Sequence, residues 1–292
     1  MRQEIPTSIQ YLIGLLALAS VGVGFWTGVS DFPWFKIDKS SPLTALAIDP
    51  FAKIKLEAKS VFVYEPDTGR IFYARDEDRI LPIASVTKIM TALTASEILS
   101  AGTIIPFSSR RHYQVRNLIA LTLISSSNEG ALALASSARE TFSRDLVAEM
   151  NTEAASLGLT RTSFTNPTGL DLDDKQAGSY SSARDIAQLV AQVLALDPEL
   201  LNATKFTEIE TATIEGIRHR FENTNEIVSE LPGLIASKTG FTDIAEGSLV
   251  IAFDRGLNQP VVVVVLGSSK AGRFSDVKQL VEATLEATLL SS

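Results

Sequence analysis

The stretch Pro82-Ile83-Ala84-Ser85-Val86-Thr87-Lys88-Ile89-Met90-Thr91-Ala92 decides how the rest of the chain is interpreted, because it places a serine three residues before a lysine. Good helix formers follow the serine and Pro82 lies just outside them, so the stretch predicts the first turns of a helix. Residues three apart on a helix share one face, about 5–6 Å apart at Cβ. We therefore expect the Ser85 hydroxyl and the Lys88 amine to meet.

This pair has the chemistry of a nucleophile and its base. A serine alcohol attacks a carbonyl poorly until a base removes its proton, and a neutral lysine amine can act as that base. Lys88 loses its charge only if burial or a second nearby cation lowers its pKa. A serine three residues before a lysine is common by itself, and a helix-capping Ser85 beside a solvated Lys88 is the alternative interpretation.

The bulk composition restricts the classes of function. The chain has 292 residues, of which 45% are hydrophobic and 21% charged, as in a globular protein with one large domain or two smaller ones. The net charge of −8 argues against a nucleic-acid partner, which needs a basic face. Cysteine is absent, and the two histidines, His112 and His219, form no H-E-x-x-H motif. We expect no metal and no cofactor, and no histidine base.

The N-terminal region is apolar enough to cross a membrane. No charged residue lies between Glu4 and Asp31, and the apolar core at residues 11–29 approaches the ~20 residues that span a bilayer as a helix. A signal peptide cleaved near the small residues at 17–19 and a buried core helix are the alternatives. A membrane anchor and a signal peptide would both export the rest of the chain.

These features predict four regions along the chain. Residues 1–8 form a cytoplasmic N-terminus, residues 9–30 a transmembrane anchor or signal segment, residues 31–58 a proline-containing linker, and residues 59–290 the folded domain. We therefore expect a single-pass protein of the cell membrane with an extracytoplasmic domain, or a secreted protein if the N-terminal segment is cleaved.

Strand patterns occur early and late in this domain, with helical patterns between them. The runs Ser60–Tyr64 and Arg70–Ala74 flank turn residues at 65–69 and predict a β-hairpin. Later strands are predicted at 233–240, 247–253 and 260–266, and a final helix runs from Ser275 to about Leu290. This order predicts an α+β fold, in which the hairpin and the later strands form one antiparallel β-sheet flanked by helices.

The middle of the domain holds two ambiguous segments. Residues 103–116 contain the basic cluster 110–112, which we interpret as a solvated loop. The polar run 125–128 separates two apolar helical segments, and it is either a helix-capping turn or a set of functional groups. Residues 205–215 alternate polar and apolar side chains and predict a strand with one solvated face.

Three short motifs occur in order along the domain: Ser85-Val86-Thr87-Lys88, Ser126-Ser127-Asn128 and Lys238-Thr239-Gly240. They fall at a predicted helix start, an inter-helix turn and a strand end. In these settings the sequence resembles the penicillin-recognising serine hydrolases. Within them it resembles the D-alanyl-D-alanine carboxypeptidases, the low-molecular-mass penicillin-binding proteins of peptidase family S11. Further matching stretches lie at 84–92, 164–170, 182–185 and 275–277.

The resemblance implies a β-lactamase/transpeptidase-like fold with an all-helical subdomain, and makes residues 59–290 the catalytic domain. Ser85 would attack the carbonyl of a penultimate D-alanine and form an acyl-enzyme. Lys88 would accept the Ser85 proton, and Ser126 would relay a proton to the leaving amine. Asn128 would hold Lys88 and the substrate amide by hydrogen bonds.

The third motif would bind the substrate. Lys238 would supply a positive charge that lowers the pKa of Lys88 and attracts the terminal carboxylate, to which Thr239 would donate a hydrogen bond. Gly240 would let the substrate backbone approach the strand. The backbone N–H groups of Ser85 and Phe241 would form the oxyanion hole. The implied partners are pentapeptide stems of peptidoglycan, β-lactam antibiotics as covalent inhibitors, and a membrane contacted through the N-terminal helix.

Other activities use the same residues. A DD-endopeptidase or transpeptidase acting on cross-links is the first alternative. A serine β-lactamase needs a base for the deacylating water, commonly in an E-x-x-L-N loop, and the nearest string, residues 199–202, is one residue short. A non-catalytic, membrane-tethered protein that binds the cell wall is the third alternative. The chain also departs from the family where Glu129-Gly130 follows Asn128, and in its short interval between Lys88 and Ser126.

Overall fold

A five-stranded antiparallel sheet with helices on both faces forms the centre of the computed structural model, which describes residues 49–256 and 258–290. The strands are β1 (Ser60–Glu65), β2 (Arg70–Arg75), β3 (Leu81–Pro82), β4 (Ile104–Ser108), β5 (Arg111–Gln114), β6 (Ser163–Phe164), β7 (Ser179–Ser181), β8 (Glu208–Ala212), β9 (Arg218–Glu222), β10 (Leu234–Thr242), β11 (Glu246–Asp254) and β12 (Pro260–Ser268). The helices are α1 (Lys88–Ile98), α2 (Val115–Ile124), α3 (Asn128–Phe142), α4 (Leu146–Ser156), α5 (Ala183–Leu196) and α6 (Gly272–Leu289).

The central sheet joins the two ends of the domain. Its strand order is β10-β11-β12-β1-β2, and every neighbouring pair is antiparallel. Ser60 in β1 lies opposite Leu266 in β12, so the early hairpin pairs with the late strands. This confirms the predicted α+β arrangement, with β10 as an edge strand.

The apolar run of β12 shows why this sheet is covered on both faces. Successive side chains of a strand point to opposite faces. Val262, Val264 and Leu266 belong to the core beneath helices α1 and α5, whereas Val261 and Val263 pack with residues of α6. A strand buried on both faces has no solvated position, and its sequence is therefore a continuous hydrophobic run rather than an alternating one.

The described end of the predicted linker, residues 49–58, packs onto the sheet. Phe51 is buried and its ring stacks on Tyr73, with the ring centroids 5.5 Å apart. The buried Asp276 carboxylate accepts hydrogen bonds from the backbone N–H groups of Glu57 (3.0 Å) and Ala58 (2.9 Å). The chain thus joins the folded domain before residue 59.

The N-terminal predictions lie outside the described residues. These are the cytoplasmic segment 1–8, the membrane segment 9–30 and the first part of the linker. Within the part of the chain that the structure describes, no helix is both long and apolar enough to cross a membrane.

Two small hairpins correct the sequence analysis. Residues 103–116, which the sequence analysis left ambiguous, contain the β4–β5 hairpin, in which Ile105 lies opposite the fully buried Tyr113. The solvated loop predicted for the basic cluster 110–112 is wrong for Arg111 and His112, which begin β5, whereas Arg110 lies in the turn before it. The basic side chains at 110–112 interrupt the alternation of polar and apolar side chains that would predict a strand. The strand predicted within 205–215 is β8, and it pairs with β9, which the sequence analysis did not predict.

Candidate active site

The Ser85–Lys88 pair lies where a short 3-10 turn, Ala84–Thr87, passes into α1. The sequence analysis expected an α-helical turn here. In a 3-10 turn, side chains three residues apart are eclipsed, so Ser85 and Lys88 point the same way. The Lys88 Nζ and the Ser85 Oγ are 2.9 Å apart, and Lys88 is completely buried whereas Ser85 is half-buried. The alternative of a solvated lysine is excluded.

The hydrogen bonds of Lys88 define the direction of proton transfer. Its Nζ also lies 2.8 Å from Asn128 Oδ1 and 2.8 Å from the Thr168 carbonyl oxygen, and both of these oxygens can only accept. A neutral amine has two N–H donors, which these two acceptors use. Its lone pair then faces Ser85, the one partner of the three with a proton to give.

Burial is what makes Lys88 neutral at moderate pH. It lowers the pKa of Lys88 from 10.5 to about 7, and the negative charge of Glu129 opposes part of this effect. The sequence analysis named burial and a nearby cation as the two possible causes, and burial is the one that accounts for the lowered pKa. Burial also lowers the pKa of Lys238 well below its usual value, with Lys88 and Arg273 adding to the shift. Since repulsion between the two amines is mutual, the pair favours at most one charge.

The turn between α2 and α3 has both of the functions considered for it. Ser127 caps α3, because its hydroxyl accepts a hydrogen bond from the Gly130 N–H at 3.0 Å. Ser126 has a φ of +58°, in the left-handed region, and its hydroxyl lies 2.9 Å from the Lys238 Nζ. Asn128 begins α3 and reaches Lys88. Ser127 thus caps the helix, whereas Ser126 and Asn128 on either side of it contact the two lysines of the site.

Strand β10 forms the other wall of the site. It brings Lys238, Thr239, Gly240 and Phe241 to the edge of the sheet beside the 3-10 turn. A Cβ on Gly240 would lie 2.7 Å from the Ile83 carbonyl oxygen and 3.3 Å from the Ser85 nitrogen. Only glycine permits this approach of the strand to the nucleophile. Phe241 is 41% exposed at the rim.

The structure therefore brings the predicted motifs together at one place. Ser85 contacts Lys88, Lys88 contacts Asn128, Ser126 contacts Lys238, and Gly240 lies against the turn that carries Ser85. Neither histidine takes part in these contacts.

Three contributors were missed by the sequence analysis. The Thr168 carbonyl oxygen binds Lys88, and a backbone atom leaves no side-chain signal. Thr224 Oγ1 lies 2.6 Å from Thr239 Oγ1. Arg273 is 5% exposed and donates to the Gly240 carbonyl oxygen at 2.7 Å. Arginine is almost never fully buried without a partner. Because Arg273 is buried against Gly240 and its charge acts on Lys238, it is a second cation of the site.

A serine hydroxyl hydrogen-bonded to a buried lysine, opposite a lysine-bearing edge strand, has the geometry expected of a serine hydrolase with a lysine base. The fold and the order of the three motifs agree with this class. The chain belongs to peptidase family S11, the D-alanyl-D-alanine carboxypeptidases, whose family model matches residues 47–105 and 99–270. The protein is accordingly a serine peptidase.

Individual relatives show the same likeness. D-alanyl-D-alanine carboxypeptidase DacF of Bacillus subtilis is 33% identical over an alignment of 238 positions. The match covers 73% of this chain and 58% of DacF, less than two thirds of its length. A D-alanyl-D-alanine endopeptidase of Pseudomonas aeruginosa is 29% identical over an alignment of 249 positions, and the match covers 77% of this chain and 76% of that protein. The ampicillin-bound crystal structure of penicillin-binding protein D2 from Listeria monocytogenes is 29% identical with a TM-score of 0.69, covering 79% of this chain and 98% of that one.

Proposed function

We propose that this protein removes the terminal D-alanine from pentapeptide stems of peptidoglycan through an acyl-enzyme on Ser85. The observation that carries the proposal is the contact of 2.9 Å between Ser85 Oγ and a Lys88 amine whose two other partners can only accept. This arrangement leaves the lysine lone pair for the serine proton, which is the first requirement of nucleophilic catalysis by serine.

The acylation step then follows from the geometry. The Ser85 oxygen forms a bond to the carbonyl carbon of the penultimate residue while Lys88 takes its proton. The carbon–nitrogen bond to the terminal D-alanine breaks, and the leaving amine gains a proton through Ser126, which is hydrogen-bonded to Lys238. We assign the oxyanion hole to the backbone N–H groups of Ser85 and Phe241, one at the start of the 3-10 turn and one on the adjacent strand.

Deacylation reverses the same proton movements. Water adds to the acyl carbon, the bond to Ser85 Oγ breaks, and Ser85 regains a proton. The shortened stem peptide leaves with a new carboxyl group.

The substrate carboxylate is recognised by the cations of β10 and α6. Lys238 and Arg273 are both buried and repel each other, and this repulsion contributes to the lowered pKa of Lys238. A bound carboxylate would offset the repulsion and favour the charged form of both groups. Thr239, oriented by Thr224, adds a hydroxyl donor. We expect β-lactams, which also carry a carboxylate, to bind in the same way and acylate Ser85.

The decisive experiment is mass spectrometry of the protein after incubation with benzylpenicillin. We expect a covalent adduct on Ser85 in the wild type and none in Ser85→Ala, with Ser127→Ala as a control that retains the adduct. An adduct at another residue, or none in the wild type, would contradict the proposal. Thermal unfolding of each variant verifies that it is folded.

A DD-endopeptidase is the second candidate function, because the Pseudomonas aeruginosa relative carries that name. Cleavage of a cross-link breaks the same type of bond with the same groups. Product analysis separates the two: release of free D-alanine from a pentapeptide stem supports carboxypeptidase activity, whereas separation of cross-linked stems supports endopeptidase activity. A β-lactamase is not favoured, since residues 199–202 are one residue short of the E-x-x-L-N loop and the Glu199 carboxylate accepts a hydrogen bond from Asn202 at an exposed position.

We also propose that the catalytic domain lies outside the cytoplasm and that residues 9–30 anchor it as a single-pass membrane protein. The support is the uncharged N-terminal segment and the location of the proposed substrate. Protease treatment of intact cells tests this: the domain should be degraded, while a cytoplasmic control protein survives. Recovery of the protein in the soluble cytoplasmic fraction would contradict it.

A further inference from the structure

The free edge of strand β10 is closed at Ser237. Among the described strands, β10 pairs with β11 alone, so its other side is the edge of the sheet. The Ser237 backbone N–H donates a hydrogen bond of 3.0 Å to Thr204 Oγ1, and the Ser237 hydroxyl donates one of 2.9 Å to the Thr204 carbonyl oxygen. Thr204 belongs to the 3-10 segment Pro198–Lys205 and is completely buried. At Ser237 the protein's own chain therefore takes the place of a neighbouring strand.

The Ser237 N–H also shows which way other N–H groups of β10 point. Alternate residues of an antiparallel strand direct their N–H groups to the same side. The pairing of β10 with β11 is regular from Ala236 to Thr242, so the N–H groups of Thr239 and Phe241 also point to the free edge. Outside the sheet, neither of them donates to any acceptor among residues 49–256 and 258–290. The edge thus presents open donors at 241 and 239 and ends at 237.

Hydrogen bonds hold Thr204 in place. Its hydroxyl donates to the Leu201 carbonyl oxygen at 2.6 Å, which leaves an oxygen lone pair for the Ser237 N–H. The Thr204 carbonyl oxygen also accepts from Asn223 Nδ2 at 2.9 Å, and the residue after Asn223, Thr224, contacts the side chain of Thr239. The position of Thr204 against the strand is therefore fixed by the fold.

The proposed reaction places a peptide along this edge. A chain that runs antiparallel to β10 can add to it as a further strand, with its backbone facing the open donors. Its acyl carbonyl oxygen would accept from the Phe241 N–H, and its terminal carboxylate would lie at Thr239. In that direction the leaving-group side of the substrate points to Ser237, which is about 7 Å beyond Thr239 along β10. A main chain that continued past the carboxylate would meet a donor that Thr204 already occupies.

We propose that Thr204 is a positioning residue that sets the exopeptidase specificity of the site. By occupying the Ser237 N–H it ends the substrate-binding edge, so that one residue follows the scissile bond and longer main chains are excluded. This inference rests on the proposed acylation of Ser85 and adds which substrates can reach it. Lys238 and Arg273 select a negative charge, whereas Thr204 limits length.

Three substrates separate length from charge: Nα-acetyl-L-lysyl-D-alanyl-D-alanine, its C-terminal amide, and the same peptide extended by Gly-Gly. Mass spectrometry of the released D-alanine, D-alanine amide and D-alanyl-Gly-Gly gives kcat/KM for each. In the wild type we expect the extended peptide to be the poorest substrate. In Thr204→Ala the Ser237 N–H is free, and kcat/KM for the extended peptide relative to the amide should rise about tenfold, the effect of one regained hydrogen bond. An unchanged ratio would overturn the proposal.

Two control variants separate this role from a general loss of stability. Thr204→Ser keeps the hydroxyl and should keep the wild-type ratio. Thr284→Ala is the matched control, because Thr284 is also completely buried and its hydroxyl donates to the Leu280 carbonyl oxygen at 2.7 Å. It should leave the ratio unchanged. A rise in the ratio in either control would overturn the proposal, since it would not depend on the Thr204 hydroxyl.

Amide hydrogen exchange of the wild-type protein tests the closure without any variant. The Ser237 N–H should exchange more slowly than those of Thr239 and Phe241, because it is held by Thr204. Equal protection of the three would overturn the proposal. Labelling of Ser85 by benzylpenicillin in the same samples tests the proposed function. Labelling together with an unchanged substrate ratio in Thr204→Ala would overturn the role of Thr204 alone, whereas no labelling in the wild type would overturn both.

Discussion

At the scale of the residue, the environment of Lys88 decides whether Ser85 can react. An exposed lysine is protonated at neutral pH and has no lone pair to offer. Complete burial removes the water that stabilises the charge, and the Asn128 and Thr168 oxygens orient the neutral amine. Ser85 needs this neighbour because its own alcohol is not acidic enough to ionise.

The pH dependence of acylation follows from this environment. Only neutral Lys88 accepts the serine proton, so the rate of Ser85 acylation by benzylpenicillin should rise with pH and reach half its maximum near the Lys88 pKa of about 7. Stopped-flow or quench measurements across the range from about pH 5 to pH 9 test this. A flat profile would show that Lys88 is not the titrating base.

Glu129 affects the pH at which acylation reaches half its maximum rate. Its negative charge raises the pKa of Lys88, so Glu129→Gln should move the midpoint of the acylation profile to lower pH. Glu97→Gln, on the far side of α1, is the control and should leave the midpoint unchanged. A shift to higher pH in Glu129→Gln would contradict the electrostatic explanation.

At the scale of the element, glycines set how closely the turn, the loop and the strand approach each other. Gly169 follows Thr168 in the loop after β6 and has a φ of +76°. A Cβ there would lie 1.9 Å from the Ala84 carbonyl oxygen, a backbone atom next to Ser85. The loop that supplies the Thr168 carbonyl can therefore reach Lys88 only because residue 169 has no side chain.

Alanine at Gly169 and at Gly216 separates two effects on stability, the close contact with Ala84 and the strain of a positive φ. Gly169→Ala should lower the free energy of unfolding by about 3 kcal/mol, from a positive φ and from overpacking together. Gly216→Ala is the matched control, because its φ is +82° with nothing within 4 Å of the added Cβ. It should lose only about 1 kcal/mol. Urea unfolding measures both, and equal losses would show that the contact with Ala84 is unimportant.

At the scale of the whole molecule, the central sheet connects segments from both ends of the domain. The strand β1 inserts between β12 and β2, and residues 49–58 cover part of the face that α6 also covers. Asp276 of α6 links this segment to the sheet, because it accepts from the Ala58 N–H and from the Ser268 hydroxyl, both within 2.9 Å. Contacts between segments far apart in the sequence therefore hold the two ends of the domain together.

The contribution of the segment 49–58 can be measured at Phe51. Phe51→Ala removes a buried ring stacked on Tyr73 and should lower the free energy of unfolding by about 3 kcal/mol. Phe206→Ala, where the ring is 47% exposed, is the control and should change stability by less than about 1 kcal/mol. Chemical denaturation compares the two. A negligible effect of Phe51→Ala would mean that the packing of residues 49–58 contributes little to the free energy of unfolding.

Local patterns predicted most of the elements that carry the site. Runs of strand-forming residues bounded by turn residues identified the β1–β2 hairpin and strands β10 to β12, because both signals are local in the sequence. The β4–β5 hairpin was missed, since Arg111 and His112 conceal the alternation of Ile105 and Tyr113. Strand β9 was missed as well, and it is defined by its pairing with β8.

The sequence by itself determined the chemistry that is available: a serine three residues before a lysine, a polar turn, and a lysine two residues before a glycine in a strand-forming run. Only the tertiary structure decided that this chemistry can operate. The charge of Lys88 depends on its burial, and the orientation of its amine depends on the Thr168 carbonyl, 80 residues away in the chain. Desolvation and backbone acceptors belong to the surroundings of a side chain, and its sequence neighbours do not specify them.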